Sequence, residues 1–321
     1  MRALVTGGAG FIGSTLSQRL AIQGHQVVAV DSITPYYDEA QKRENFEDVS
    51  RTPGCTTVVE DLRTADLRSL LEGMDVVFHQ AGQPGVRASW DAGFAGYVEQ
   101  NVLVTQRLLE AAKGSSLRRF VFASSSSVYG EARRYPTLED DVPAPQSPYG
   151  VTKLAAEHLA GVYARNFGVP TVSLRYFTVY GPRQRPDMAM HRLFEAAIDG
   201  RAFPMYGDGT QIRDFTFVDD VVQANIAAAE NDCPAGTVLN VCGGGSTTLL
   251  EVTQIVSEVV GRDVVLDRLP SQPGDVFRTG GSGELALDSI GWQPHVGVPE
   301  GLRRQGEWHL ARRARAAADP Q

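Results

Sequence analysis

The sequence predicts an α/β protein with a doubly wound parallel sheet and a smaller mixed α/β lobe after it. Three observations carry this. Apolar runs alternate with amphipathic stretches through the first half, the runs are apolar throughout rather than alternating, and after Gly181 the pattern loosens into Gly- and Pro-rich stretches. Strands are expected at Ala3–Thr6, Gln26–Asp31, Thr57–Glu60, Val76–His79, Phe120–Ser124 and Thr171–Leu174. Helices are expected at Phe11–Gln23, Asn101–Ala112 and Tyr149–Phe167. A ligand in such an architecture sits at the carboxyl ends of the strands.

The bulk numbers bound the function. The 321 residues are 42% hydrophobic and 21% charged, ordinary globular composition with room for one large domain or two joined ones. A net charge of −8 argues against a nucleic-acid partner or an anionic membrane. No stretch has the apolar length of a membrane span. Met1 leads straight into a strand, so no secretory leader is expected. Cys55, Cys233 and Cys242 share no ligand spacing, which points to reduced packing cysteines, no metal and a cytoplasmic protein.

The stretch LVTGGAGFIG sets Gly7, Gly10 and Gly13 between a strand and a helix. Glycines at this spacing permit a tight turn and let a pyrophosphate reach free N–H groups at the helix start, the Rossmann arrangement. The next strand ends in Asp31, where a carboxylate accepts from ribose hydroxyls and repels a 2′-phosphate, so the cofactor is expected to be NAD. A structural turn before an amphipathic helix would need none of that acid.

A second signal is Tyr149-Gly-Val-Thr-Lys153. Ser147 can cap this helix, Pro148 suits its first turn, and Tyr149 and Lys153 share a face at i and i+4. A nearby cation is expected to lower the phenol's pKa and make Tyr149 a general base. Alone, the pair would be a common solvated helix pair; after a dinucleotide fingerprint the catalytic reading is favoured. The four serines Ser124–Ser127 then fall at the end of a central strand facing the same crevice, where a hydroxyl can relay a proton.

With TGGAGFIG, Asp31, Asp61-Leu62, His79 to Ser89, SSSSVYG, YGVTK, RYFTVYGPRQRPDMA, GDGTQIRDFTFVDD and QPGDV in place, the chain resembles the extended short-chain dehydrogenase/reductases that epimerise or dehydrate nucleotide sugars. The resemblance spans nearly the whole chain. It implies Ser125, Tyr149 and Lys153 as catalytic residues. It also implies NAD contacts from Gly7, Gly10, Phe11, Ile12, Gly13, Asp31, Ser32, Asp61, Leu62, Gln80, Ala81, Gly82, Asn101, Tyr149, Lys153 and Tyr176. Dehydratases of the family follow the catalytic hydroxyl with Asp-Glu, and decarboxylases place a Glu just before the Val. Ser126 and Ser127 stand there, which leaves 4-epimerisation.

RQRPDMA at 183–189 resembles the UDP-glucuronate 4-epimerase branch, in which the arginine matched by Arg185 holds the sugar carboxylate. Further substrate contacts implied are Val86, Arg87, Ser125, Ser126, Tyr149, Thr178, Pro204, Tyr206, Gln211, Arg213, Asp275 and Arg278, with Pro204 and Tyr206 flanking uracil. The resemblance assigns 1–178, with 213–241 returning, to NAD, and 179–212 with 242–321 to the UDP-sugar; a homodimer is usual. The expected substrate is UDP-glucuronate. UDP-glucose/galactose or UDP-N-acetylhexosamine 4-epimerases stay open, as does a non-catalytic NAD-sensing protein. Three departures from the pattern stand out: Pro84 in the substrate loop, Thr279-Gly-Gly-Ser282 where Ser282 can still cap a helix, and Ser125 where several glucuronate epimerases carry Thr.

Overall fold

Seven parallel strands form the centre of the computed structural model, which describes residues 1–270 and 276–318. They are β1 (Arg2–Thr6), β2 (Gln26–Asp31), β3 (Cys55–Val59), β4 (Val76–His79), β5 (Arg119–Ser125), β6 (Thr171–Tyr176) and β7 (Thr237–Val241). Their order across the sheet is β7-β6-β5-β4-β1-β2-β3. Val5 of β1 pairs with Ala29 on one side and Phe78 on the other. The order reverses between β1 and β4, and a crevice opens there at the carboxyl ends.

The central strands are apolar throughout because both faces are covered: every residue of β4, β5 and β6 is buried. Four of the six expected strands have shifted bounds, β1 by starting one residue earlier at Arg2. β3 starts two residues earlier, β5 gains Arg119 and Ser125, and β6 runs on to Tyr176. The helix expected at Asn101 begins earlier, as Phe94–Tyr97, and passes through a π-helical turn at Val98–Leu103 before Val104–Ala112. The helix Glu39–Ser50 has no sequence expectation. Half of its stretch is charged, only Phe46 and Val49 are buried large apolar residues, and the Asp38 carboxylate caps it by accepting from Ala40 N.

The second lobe pairs Phe203–Tyr206 with Leu266–Leu269 in parallel. Helices Ala189–Asp199, Leu249–Val260 and Val298–Ala318 pack together beside this pair. A capping box of Thr248 and Glu251 starts the second of them. Ser282 accepts from Glu284 N at 3.3 Å, although Gly283 occupies the cap position. One apolar cluster runs from Val5 and Phe78 through Tyr176 and Phe217 to Leu193 and Val252, so both lobes share a core and the crevice has firm walls. No helix among the described residues is long and apolar enough to cross a membrane.

Candidate active site

The turn between β1 and the first helix requires glycine by steric necessity. Gly7 has φ +72°, and a Cβ on it would meet Ala81 N at 2.8 Å. A Cβ on Gly13 would lie 2.1 Å from the Gly7 carbonyl oxygen. Helix Phe11–Ile22 starts at Gly10 with no side-chain cap, which leaves first-turn N–H groups for an anion. The Asp31 carboxylate closes the turn, accepting from Ala9 N at 3.1 Å and Ile33 N at 2.8 Å. Every residue expected to hold the dinucleotide lines this one cleft except Asn101.

Asn101 works from behind the wall. It lies in the π turn, is buried, and clamps the Gln83 backbone: Oδ1 accepts from Gln83 N at 2.7 Å and Nδ2 donates to Gln83 O at 3.0 Å. A chain of hydrogen bonds supports the same turn. The Thr105 hydroxyl donates to Asn101 O at 2.6 Å, so its oxygen accepts from His79 Nε2 at 3.0 Å. His79 Nδ1 then accepts from the Thr6 hydroxyl at 2.8 Å, and Thr6 Oγ1 accepts from Ala81 N at 3.1 Å. This fixes His79 as the neutral Nε2–H tautomer and ties β1, β4 and the π turn into one frame.

Burial, with the Lys153 charge second, pushes His79 down to about 3. A folded-state pKa below the unfolded value near 6.5 means this contribution is complete above about pH 6.5 and lost as the pH falls toward 3. Melting temperatures of the parent should decline across that window, and His79→Gln should decline less steeply over the same range. Equal slopes would place the acid sensitivity elsewhere.

The reacting side is built from β5 and the helix Pro148–Phe167, whose first turn is capped by Ser147 accepting from Gly150 N at 3.1 Å. Tyr149, Lys153 and Glu157 succeed one another on the face toward the sheet. Glu157 pairs with Arg175 of β6 at 2.7 Å, both side chains at 5% exposure or less, and accepts from the Ser124 hydroxyl at 2.6 Å. That buried pair locks the helix to the ends of β5 and β6. Ser125 hydrogen-bonds Tyr149 and also accepts from Ser127 N at 3.1 Å.

The expected lowering of the Tyr149 pKa by Lys153 is not what the structure shows. Burial raises the phenol, while the Ser125 bond and the Arg185 charge pull it back in part. Lys153 instead donates to the Ala123 carbonyl at 2.9 Å, and burial lowers its pKa to about 8. Sharing a helix face brings two side chains near, but a strand-end carbonyl offers the ammonium a better partner in a dry site.

Arg185 reaches the same cleft from the loop after β6, and its charge falls on Tyr149 and Tyr36. Its Nε and one η nitrogen donate to the two Asp187 oxygens at 3.0 and 2.9 Å. The loop is held firmly. Arg183, at φ +67°, donates to Gln18 and Asp48, while Gln41 donates to the carbonyls of Arg183 and Gln184.

An adjoining cavity is lined by Val86, Ser126, Thr178 and Arg213. Arg213 donates to the carbonyls of Ile212, Val276 and Phe277. Arg87 stacks on Tyr206 at 4.2 Å, Gln211 donates to Tyr206 O at 2.6 Å, and Arg278 stacks on Tyr135 at 4.6 Å. Pro204 and Tyr206 alternate with the buried Phe203 and Met205 and so share the outer face of one strand, Pro204 also lining a third cavity with Asp38, Pro186 and Arg312. Asp275 lies outside the described residues. His191, Glu195 and His309 gather possible metal-ligand atoms within 4.8 Å, but Glu195 already binds His309 and Arg313, and the arginine opposes a cation. Sequence reasoning missed Thr34, Tyr36, Tyr37 and Lys42, which line the main cleft. The Tyr-Tyr pair in a loop just past the ribose acid was the available signal.

The model of the NAD dependent epimerase/dehydratase family matches residues 3–242. An uncharacterized UDP-glucose epimerase of Bacillus subtilis is 40% identical over 306 residues, 95% of this chain and 96% of that protein. A probable UDP-glucuronate 4-epimerase of Rhizobium meliloti is 37% identical, over 96% of this chain and 97% of that one. The crystal structure of UDP-glucuronic acid 4-epimerase from Bacillus cereus, in complex with UDP-glucuronic acid and NAD, superposes with a TM-score of 0.94. It is 40% identical and covers 97% of this chain and 99% of its own. A glycine cradle closed by an acid, a half-buried tyrosine with a serine partner, and matches of this extent lead to one conclusion: this chain belongs to the NAD-dependent epimerase/dehydratase family.

Proposed function

We propose that the protein is an NAD-dependent UDP-glucuronate 4-epimerase that forms UDP-galacturonate. The observation that carries this is Arg185, a mostly enclosed guanidinium opening onto the cleft beside Tyr149, where a C6 carboxylate would need a cationic partner. The names of the Rhizobium meliloti and Bacillus cereus relatives agree.

In this reading Tyr149 removes the O4 proton through or beside Ser125, once its phenol has been brought down by charge in the assembled site. Lys153, held on the Ala123 carbonyl, keeps a positive charge beside the cofactor's half of the cleft below about pH 8. NAD, when bound, accepts the C4 hydride and returns it to the opposite face, so the cycle has no net redox. The 4-keto uronate formed in between is a β-keto acid prone to losing carbon dioxide. Arg185 opposes that loss by holding the carboxylate's charge and orientation. We assign 1–178 with 213–241 to NAD and 179–212 with 242–321 to the UDP-sugar.

A second reading has one observation in its favour. Asp187 already satisfies two donors of Arg185, so a neutral sugar could sit in the cleft without competing for them; the Bacillus subtilis relative carries a UDP-glucose epimerase name. Proton NMR of purified protein with UDP-glucuronate, UDP-glucose or UDP-N-acetylglucosamine separates the two. UDP-galacturonate appearing fastest is the expected result, and faster turnover of a neutral sugar would replace it. Denatured protein should release NAD; mainly NADP would remove the role given to Asp31.

We also propose a homodimer and a cytoplasmic setting, where NAD and nucleotide sugars are available. Helices Phe94–Ala112 and Pro148–Phe167 lie side by side and expose Phe94, Val98, Leu103, Val151 and Val162. An apolar surface on two adjacent helices is suited to its own copy across a two-fold axis. Sedimentation at micromolar concentration should give the dimer mass, and Val98→Glu should shift it to monomer; a monomeric parent would end this proposal.

A further inference from the structure

Residues 32–38 cross from the end of β2 toward the opposite wall of the dinucleotide cleft, and each part of the crossing is anchored. Ile33 has φ +48°, uncommon for a β-branched residue, and its side chain is buried with Ala9, Ala29, Phe46 and Val49. Thr34 is gripped by Lys42, whose Nζ donates to its carbonyl at 2.6 Å and its hydroxyl at 3.1 Å. The Tyr37 ring covers the same ammonium at 4.4 Å. Between these anchors Tyr36 reaches the far wall. Its hydroxyl lies so close to Gly85 that a Cβ there would be 2.2 Å away. It also shares a hydrogen bond with Tyr97. The Tyr97 hydroxyl also lies within reach of the carbonyls of Pro84 and Gly85, at 2.7 and 2.9 Å.

We propose that residues 32–38 are a strap that retains the dinucleotide, with Tyr36 as a latch fastened on Gly85 and Tyr97. Thr34, Tyr36 and Tyr37 line the same cleft as Gly7, Asp31 and Pro84, so the strap joins the ribose side of the cleft to the loop that follows β4. Its use follows from the redox-neutral cycle, and to that extent it rests on the NAD-dependent reading. A cofactor that left while carrying the hydride would strand a 4-keto sugar, so slow release is worth a dedicated contact. Unfastening the latch requires breaking the tyrosine pair and moving an anchored loop, which slows departure.

The test is cofactor release. Parent, Tyr36→Phe and Tyr36→Ala are loaded with fluorescent etheno-NAD and chased with excess NAD. Release should be about tenfold faster in Tyr36→Ala, the change expected from losing roughly one hydrogen bond with its ring contacts. Tyr36→Phe, which keeps the ring and guards against misfolding, should fall between. Tyr97→Phe should release at least as fast as Tyr36→Phe, because it removes the shared bond together with its own contacts to Pro84 and Gly85, and the double Phe variant should add little to Tyr97→Phe. Turnover of Tyr36→Ala should become dependent on added NAD. Release from Tyr36→Ala at the parent rate would overturn the strap while leaving the cofactor reading intact. A parent that does not bind etheno-NAD would overturn both.

Discussion

Tyr149→Phe should lose about a hundred- to ten-thousand-fold in kcat while binding UDP-sugar with little change, the size expected for removing a general base. The oxygen removed is the one bonded to Ser125 and under the Arg185 charge. The ring stays, and with it the edge contact to Tyr97 at 6.3 Å, so the wall of the site should hold. Stopped-time assays of turnover, with calorimetric binding of the UDP-sugar alongside, read the two quantities separately. Lys153→Met should also lose turnover and weaken cofactor binding, because it removes the charge held at the Ala123 carbonyl. Ser125→Ala should lose less than either, with Ser126 next to it able to substitute in part. A Tyr149→Phe variant turning over at near-parent rate would take the role away from this residue.

Arg185→Ala decides the substrate. A charge-assisted, bidentate contact to a carboxylate contributes roughly 1.5–3 kcal/mol, about ten- to a hundredfold in binding. That loss should fall on UDP-glucuronate and leave any activity toward UDP-glucose nearly unchanged. The variant should also leak more 4-keto pentose, since the β-keto acid would be held loosely. The guanidinium already faces Asp187 through Nε and one η nitrogen, and its end, formed by the other η nitrogen and the second N–H of the first, is the edge left for a sugar acid. An equal loss on both sugars would mean that Arg185 only shapes the Arg183–Asp187 loop, and the neutral-hexose reading would then take its place.

The strand positions and the glycine turn were legible because each depends on contiguous residues. A strand buried on both faces is apolar throughout, and Gly13 stands where any Cβ would collide with the Gly7 carbonyl. The Ser147 cap and the Tyr149–Lys153 spacing are local in the same way. The helix Glu39–Ser50 was not legible, because it covers only the edge of the sheet and needs few apolar residues. The π turn was not legible either: its reason is Asn101 reaching back to the Gln83 backbone, a contact eighteen residues away.

Taken alone, the sequence determined the parallel sheet, the glycine turn with Asp31 beside it, and the tyrosine–serine pair at the end of β5. It also carried enough motif to place the chain among nucleotide-sugar enzymes. Only the tertiary structure decided who partners whom. Lys153 turns to the Ala123 carbonyl, Arg185 is met by Asp187, His79 is held neutral between Thr6 and Thr105, and Tyr36 fastens on Gly85. The physical reason is common to all four. Spacing along one element sets which side chains are near, but in a dry cleft the partner is whichever donor or acceptor the packed neighbours leave within reach. Those neighbours arrive from distant parts of the chain.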